Sequence, residues 1–261
     1  MILEDTMILK PFFSYFGSKY RISKHYPSPN KDILIEPFAG SACYSLHYHW
    51  KKVMLFDKYD VVCGVWDYLI HTKQSEILAL PLIDFDKTLD DYNLCQEAKW
   101  LIGFWLHLSN PKPGIKHTSR AIKVSTGFID KNGKKEKPRN FCSWTIENKN
   151  KIASQVEHIR HWEIKQDSYE NINNEQATWF IDPPYQIAGK GYKESSKNID
   201  FDHLANWCQN RQGEVVVCEN QGADWLPFEP FSSLRNARRR QTQEVVYYQG
   251  FENQSEQITL F

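Results

Sequence analysis

Two consecutive prolines, Pro183 and Pro184, stop an apolar run, Thr178-Trp179-Phe180-Ile181, that reads as a buried strand. A sheet interior does not tolerate that pair, because each proline fixes φ and lacks a backbone donor; the strand must end at Asp182 and open into a turn. The Asp182 and Pro183 carbonyls then face outward with no local N–H competing for them, and Tyr185 brings a ring to the same turn. A carboxylate, a free carbonyl and an aromatic ring at a strand end form a ready acceptor for a planar amino group whose heterocycle stacks on the ring.

The rest of the chain places that strand in an α/β sheet. Residues 32–36 read as a short strand, 37–41 as a tight turn, and 42–50 as a helix. A second strand at 52–56 ends on Asp57 and leads into a helix over 61–71. Toward the other end, 163–165 and 178–181 read as strands, 202–212 as a helix and 214–218 as a buried strand; 244–249 and 257–261 read as late strands, with one antiparallel. Strand and helix in alternation predict a mostly parallel sheet with helices on both faces. The rhythm lapses between 72 and 151. An apolar, Trp-rich helix at 95–108, a basic and aperiodic stretch at 111–143, and an amphipathic helix at 146–162 predict an insertion, 72–151, between two parts of one domain, 1–71 and 152–261.

Composition is that of a globular chain, with 41% hydrophobic and 25% charged residues among 261. No apolar run approaches the length of a membrane span, and the N-terminus, with Glu4 and Asp5 inside its apolar stretch, does not read as a signal peptide. Six scattered cysteines without a CxxC pair predict reduced thiols in a cytoplasmic protein and no metal site. Thirty-two basic residues balance thirty-two acidic ones, yet nine Lys or Arg stand against Asp130 and Glu136 between 111 and 139. Lys112, Lys116, Arg120, Lys134, Lys135 and Arg139 in that stretch, with Arg238, Arg239 and Arg240 further on, supply the local positive surface that phosphate backbones require; solvated loops are the plain alternative. Gly189-Lys190-Gly191-Tyr192 reads as a loop able to close over the acceptor turn, or as an ordinary exposed turn.

Two further segments have the form of a nucleotide site. Glu36-Pro37-Phe38-Ala39-Gly40-Ser41 puts an acid and a small-residue turn at the end of the first strand, with Ala42 where a second glycine would be expected. Asp57 stands where a carboxylate binds two ribose hydroxyls, or where it simply caps the strand end. Upstream, Tyr15-Phe16-Gly17-Ser18-Lys19 joins an aromatic residue, a glycine turn and a lysine.

Taken in order, Tyr15 to Lys19, Glu36 to Gly40, Asp57, the basic insertion and Asp182 to Tyr185 resemble the Dam-type, alpha-class DNA N6-adenine methyltransferases. The resemblance spans nearly the whole catalytic part, while the insertion matches in position and charge only. It implies a Rossmann-like methyltransferase sheet with an inserted helical target-recognition domain, and S-adenosylmethionine as cofactor. Tyr15, Lys19, Glu36, Pro37, Phe38, Gly40, Asp57, Asp167 and Asp182 would line the cofactor pocket, with Asp57 on the ribose and Asp167 on the cofactor's adenine. Asp182, Pro183, Pro184 and Tyr185 would hold a flipped adenine of double-stranded DNA, with Lys190 and the arginines of 238–240 near the mouth. A monomer suffices for such chemistry, in the cytoplasm of a bacterium or a phage-infected cell, whether the enzyme is solitary, phage-encoded or half of a restriction-modification pair. The alternatives are methylation of another planar nitrogen, in RNA adenine or at cytosine N4, or a silent DNA-binding protein on the same scaffold.

Overall fold

In the computed structural model the described residues are 7–108, 110–118, 128–129, 135–136, 144–187, 189–191, 193–235 and 241–251. The apolar runs form β1 (Ile33–Glu36), β2 (Lys52–Asp57), β5 (Glu163–Gln166), β6 (Ala177–Ile181) and β7 (Gly213–Asn220); two later strands are β8 (Glu229–Arg235) and β9 (Gln241–Gln249). These seven make one sheet in the order β5-β2-β1-β6-β7-β9-β8, in which β9 alone runs antiparallel to its neighbours. Every residue of β6 is buried, as expected for an inner strand covered on both faces.

The period of two along the inner strands divides the apolar residues between two cores. Leu34, Phe180, Val216 and Cys218 face one core, and Ile35, Trp179, Ile181, Val215 and Val217 face the other. Helix α1 (Asp60–His71) covers the first face with Val62, Val65, Trp66 and Leu69. A later helix, Phe201–Gln209, covers the second with Leu204, Trp207 and Cys208 and is capped by the Asp200 carboxylate accepting the His203 N–H.

The segment between β2 and β5 contributes α2 (Gln74–Ala79), α3 (Gln96–Leu106), the short antiparallel pair β3 (Phe128–Ile129) and β4 (Lys135–Glu136), and α4 (Ile146–Ala153), which leaves Phe201–Gln209 as α5. Leu101, Phe104 and Trp105 of α3 and Ile152 of α4 belong to the same core as β1 and α1. The Phe104 ring stacks on Phe13 at 5.1 Å, and Trp105 Nε1 donates to the Phe12 carbonyl at 3.0 Å. The helices of this segment thus build the wall behind the N-terminal aromatic residues.

Several boundaries differ from those expected. No α-helix forms over 42–50: the chain takes a tight turn with Ala42 at φ +45° and then a single 3₁₀ turn, Ser45–Tyr48. The helix expected over 146–162 stops at Ala153, and after it Gln155 pairs through its amide with both backbone polar groups of Lys10, at 2.6 and 3.2 Å; a 3₁₀ turn, Val156–Ile159, follows. The helix expected to 212 ends at Gln209, beyond which Arg211 lies over the Trp207 ring at 4.2 Å. Strand β8 has no counterpart in the sequence reading, because Pro230 argues against a strand; it forms at the sheet edge, where a missing donor is tolerated. The strand expected at 257–261 lies outside the described residues. Among those residues no helix is long and apolar enough to cross a membrane, and Cys43, Cys63, Cys95, Cys208 and Cys218 are free thiols.

The order of strands fixes where ligands can enter. From β1 the chain moves outward to β2 and β5, then returns to β6 on the opposite side and moves outward again to β7. A crevice opens at the carboxyl ends of β1 and β6, where the two directions diverge.

Candidate active site

On the β1 side, the turn after Glu36 is held by backbone groups. Ala39 N–H donates to the Phe56 carbonyl at 2.8 Å, Ala42 N–H to the Ala39 carbonyl at 2.7 Å, and Gly40 N–H to Asp57 Oδ2 at 3.0 Å, while Trp66 Nε1 donates to the Gly40 carbonyl at 2.9 Å. Gly40 has φ +45°, and a Cβ there would stand 3.3 Å from the Tyr15 ring, so glycine satisfies both backbone and space. Asp57 Oδ1 also accepts the Tyr59 N–H at 2.9 Å. This carboxylate is therefore a strand-end cap that also lines the crevice; burial pushes it up to about 6 against the backbone hydrogen bonds from Tyr59, Gly40 and Lys58.

Glu36 is 2% exposed and accepts from both the Ser45 N–H, at 2.8 Å, and the Ser45 hydroxyl, at 2.5 Å. Burial outweighs these bonds and pushes its carboxyl up to about 8. It faces the crevice as a group that is largely protonated at neutral pH and that a nearby cation would ionise.

On the β6 side, Asp182 is paired with Lys19 Nζ at 3.4 Å, and the same ammonium lies 3.7 Å from Glu244 on β9. Lys19 Nζ also sits 4.4 Å from the centre of the Tyr185 ring, whose hydroxyl donates to Glu244 Oε2 at 2.6 Å. Two carboxylates, one ammonium and one phenol thus form a single cluster. Burial pushes the Asp182 carboxyl up to about 6; Lys19 opposes that shift and Glu244 adds to it. Pro183 is buried beneath the turn and Pro184 lines the crevice. Gly189 N–H donates to the Tyr185 carbonyl at 2.6 Å, and Gln186 N–H donates to the buried Glu219 at 2.6 Å, so both sides of the turn after Tyr185 are anchored.

The crevice between these two sides encloses about 970 Å³, part of it open to solvent. Of the residues expected there, Tyr15, Lys19, Glu36, Pro37, Phe38, Gly40, Asp57, Asp182 and Pro184 all line it. Tyr185 adjoins it through Lys19. Asp167 is not among the residues that line it; its Oδ1 accepts from Ser168 N–H and Asn171 Nδ2, both at 2.7 Å, within its own loop. Lys58, Tyr169, Lys193, Ser195 and Asn198 are among the other lining residues and carried no sequence signal.

Glu219 and Glu244 were missed as well, although a signal existed: each is an acid beside a run of β-branched or apolar residues on an inner strand, where burial demands a partner. Of the expected phosphate-binding residues, Lys112 and Lys116 are exposed, Lys135 lies on β4, and Lys190 lies in the 3₁₀ turn Gly189–Gly191 that packs on Pro184. Arg120, Lys134, Arg139, Arg238, Arg239 and Arg240 fall outside the described residues, as does Tyr192. Comparison with protein families and with curated proteins finds no match to this chain.

Proposed function

We propose that this protein is an S-adenosylmethionine-dependent DNA methyltransferase acting on N6 of an adenine turned out of the duplex. What supports the reading is that the three segments carrying the Dam-type resemblance, Tyr15 to Lys19, Glu36 to Gly40 and Asp182 to Tyr185, come from distant parts of the chain and meet at one crevice. The sheet order, with one antiparallel strand late in the chain, suits the fold that the resemblance implies.

The residues present fit the cofactor. The crevice presents aromatic, carboxylate and backbone groups suited to a nucleoside bearing an amino-acid tail. Asp57 offers a carboxylate for ribose hydroxyls, Phe38 and Tyr169 offer aromatic faces, and Glu36 offers a buried carboxyl whose ionised form a positive ligand would favour. Asp167 is not among the residues assigned to it. When bound, S-adenosylmethionine supplies a methyl group on a positively charged sulfur.

The chain's own work is positioning. The Asp182 carboxylate and the Pro183 carbonyl accept the two N–H bonds of the target amino group, which draws the nitrogen lone pair out of the ring plane and toward the methyl donor. Tyr185 stacks on the base. With the methyl donor bound, Asp182 would take the proton that the target nitrogen sheds on alkylation. Its carboxyl, raised to about 6 by burial, is ionised at pH 7.5 yet basic enough for that duty. Exposed Lys112 and Lys116 suit contacts to phosphate.

The test is methyl transfer from labelled S-adenosylmethionine to unmethylated mixed-sequence DNA, with mass spectrometry of the nucleosides. Labelled N6-methyladenine is expected, and Asp182→Ala should reduce it by about a thousandfold while DNA affinity stays within about threefold. DNA binding with no label in any nucleoside would overturn the proposal.

A further inference from the structure

The acceptor carboxylate of Asp182 is already engaged by the Lys19 ammonium, which is 8% exposed and so has little water to fall back on. A substrate amino group taking that carboxylate would strand a buried charge unless a second counter-ion stood within reach, because an uncompensated ammonium in such a place is strongly unfavourable. Glu244 stands there, 7% exposed and 3.7 Å from Lys19 Nζ. The same oxygen, Oε2, accepts from the hydroxyl of Tyr185, whose ring follows the acceptor in the chain. β9 is the antiparallel strand beside β7, and Glu244 pairs in register with Asn220, so this carboxylate approaches the carboxyl edge of the sheet from the direction opposite to Asp182.

Resting on the methyltransferase reading, we propose that Glu244 is a positioning residue: it carries Lys19 when the substrate's amino group takes Asp182, and through the Tyr185 hydroxyl it holds the stacking ring in place. Lys19 is then a placeholder for the amino group, passed between two carboxylates during each turnover. No residue changes its covalent bonds in this exchange.

The groups facing Asp182 are Lys19 from the N-terminal segment, Glu36 from β1, Cys43 from the turn after it, Cys218 from β7, Glu244 from β9, and Tyr26 and Tyr185. Glu244 raises the Asp182 carboxyl and Lys19 lowers it. Replacing Glu244 by glutamine removes a repelling charge and leaves Lys19 more firmly on Asp182.

In Glu244→Gln, kcat should therefore fall by about tenfold or more with KM for S-adenosylmethionine within about twofold, and the acid limb of the kcat–pH profile should move to lower pH. A mere packing defect would not shift that limb downward. In a Lys19→Met background the loss of kcat on adding Glu244→Gln should shrink, since the ammonium to be carried is gone. Glu244→Asp, which keeps the charge, should leave the limb where it is and serves if the glutamine variant does not fold. An active wild type whose glutamine variant keeps kcat within about twofold, or whose limb stays put, overturns this role alone. A wild type that transfers no methyl group overturns the methyltransferase reading and this role with it.

Discussion

Ala42 shows how one residue can be conspicuous in sequence and explained by its backbone. It stands where a nucleotide-binding turn would be expected to have a second glycine, and its φ is +45°, in the left-handed region that side chains avoid. The methyl is 1% exposed, so packing offsets part of the strain. Ala42→Gly should thus remain within about 1 kcal/mol of wild type, relief of strain balancing the lost contact and added chain entropy. Ala42→Val should cost about 2–3 kcal/mol, because a β-branched residue fits that conformation worst; urea midpoints of the two variants check both. At the same scale the place of Asp182 was legible from its neighbours, whereas for Glu244 the neighbours signal burial and not its partners. Its role depends on Lys19 and Tyr185, which lie 225 and 59 residues away in a chain whose folding alone brings them together.

Among elements, the turn that follows β6 depends on its junction with the 3₁₀ turn Gly189–Gly191. A Cβ on Gly189 would come within 2.5 Å of the Pro184 backbone, and neither partner is a flexible side-chain tip that could swing away. Gly189→Ala should therefore displace the Asp182–Tyr185 turn and lower the proposed methyl transfer by about tenfold or more, with a melting temperature only a few degrees lower, since the strand beneath is buried on both faces. An activity within twofold of wild type would show that the turn tolerates the shift. Inner strands and the helices α1 and α3 were readable because hydrophobic spacing determines them. The helix expected over 42–50 was not, because the turn's backbone bonds to Phe56 and Asp57 override local propensity, and β8 was hidden by a proline that only an edge position accommodates.

For the whole molecule, the consequence of gathering carboxyls at one sheet edge is a stability that depends on pH. Glu36 titrates near 4.5 as an ordinary glutamate and at about 8 in the fold. Between those values the folded chain holds a proton that the unfolded chain has lost, so stability falls as pH rises across the window. Asp57 and Asp182 are half-titrated near 6 and mostly ionised by 6.5, and His47 and His117 are lowered by burial; the span from 6.5 to 8 therefore belongs chiefly to Glu36. Raising pH across that span should lower stability by about 2 kcal/mol, or roughly 5 °C in melting temperature. Glu36→Gln keeps an acceptor for Ser45 and should remove most of the slope, which calorimetry at several pH values would reveal. The alternating apolar runs, the proline pair that ends β6 and the acids that end β1 and β2 were determined by sequence alone, because hydrophobic period and backbone chemistry are local properties. The hydrogen bonds of Asp167 within its own loop, the pairing of Lys19 with Asp182 and Glu244, and the anchoring of the turn after β6 by Glu219 and Gly189 were decided only by tertiary structure, since burial and charge compensation exist only once distant segments have met.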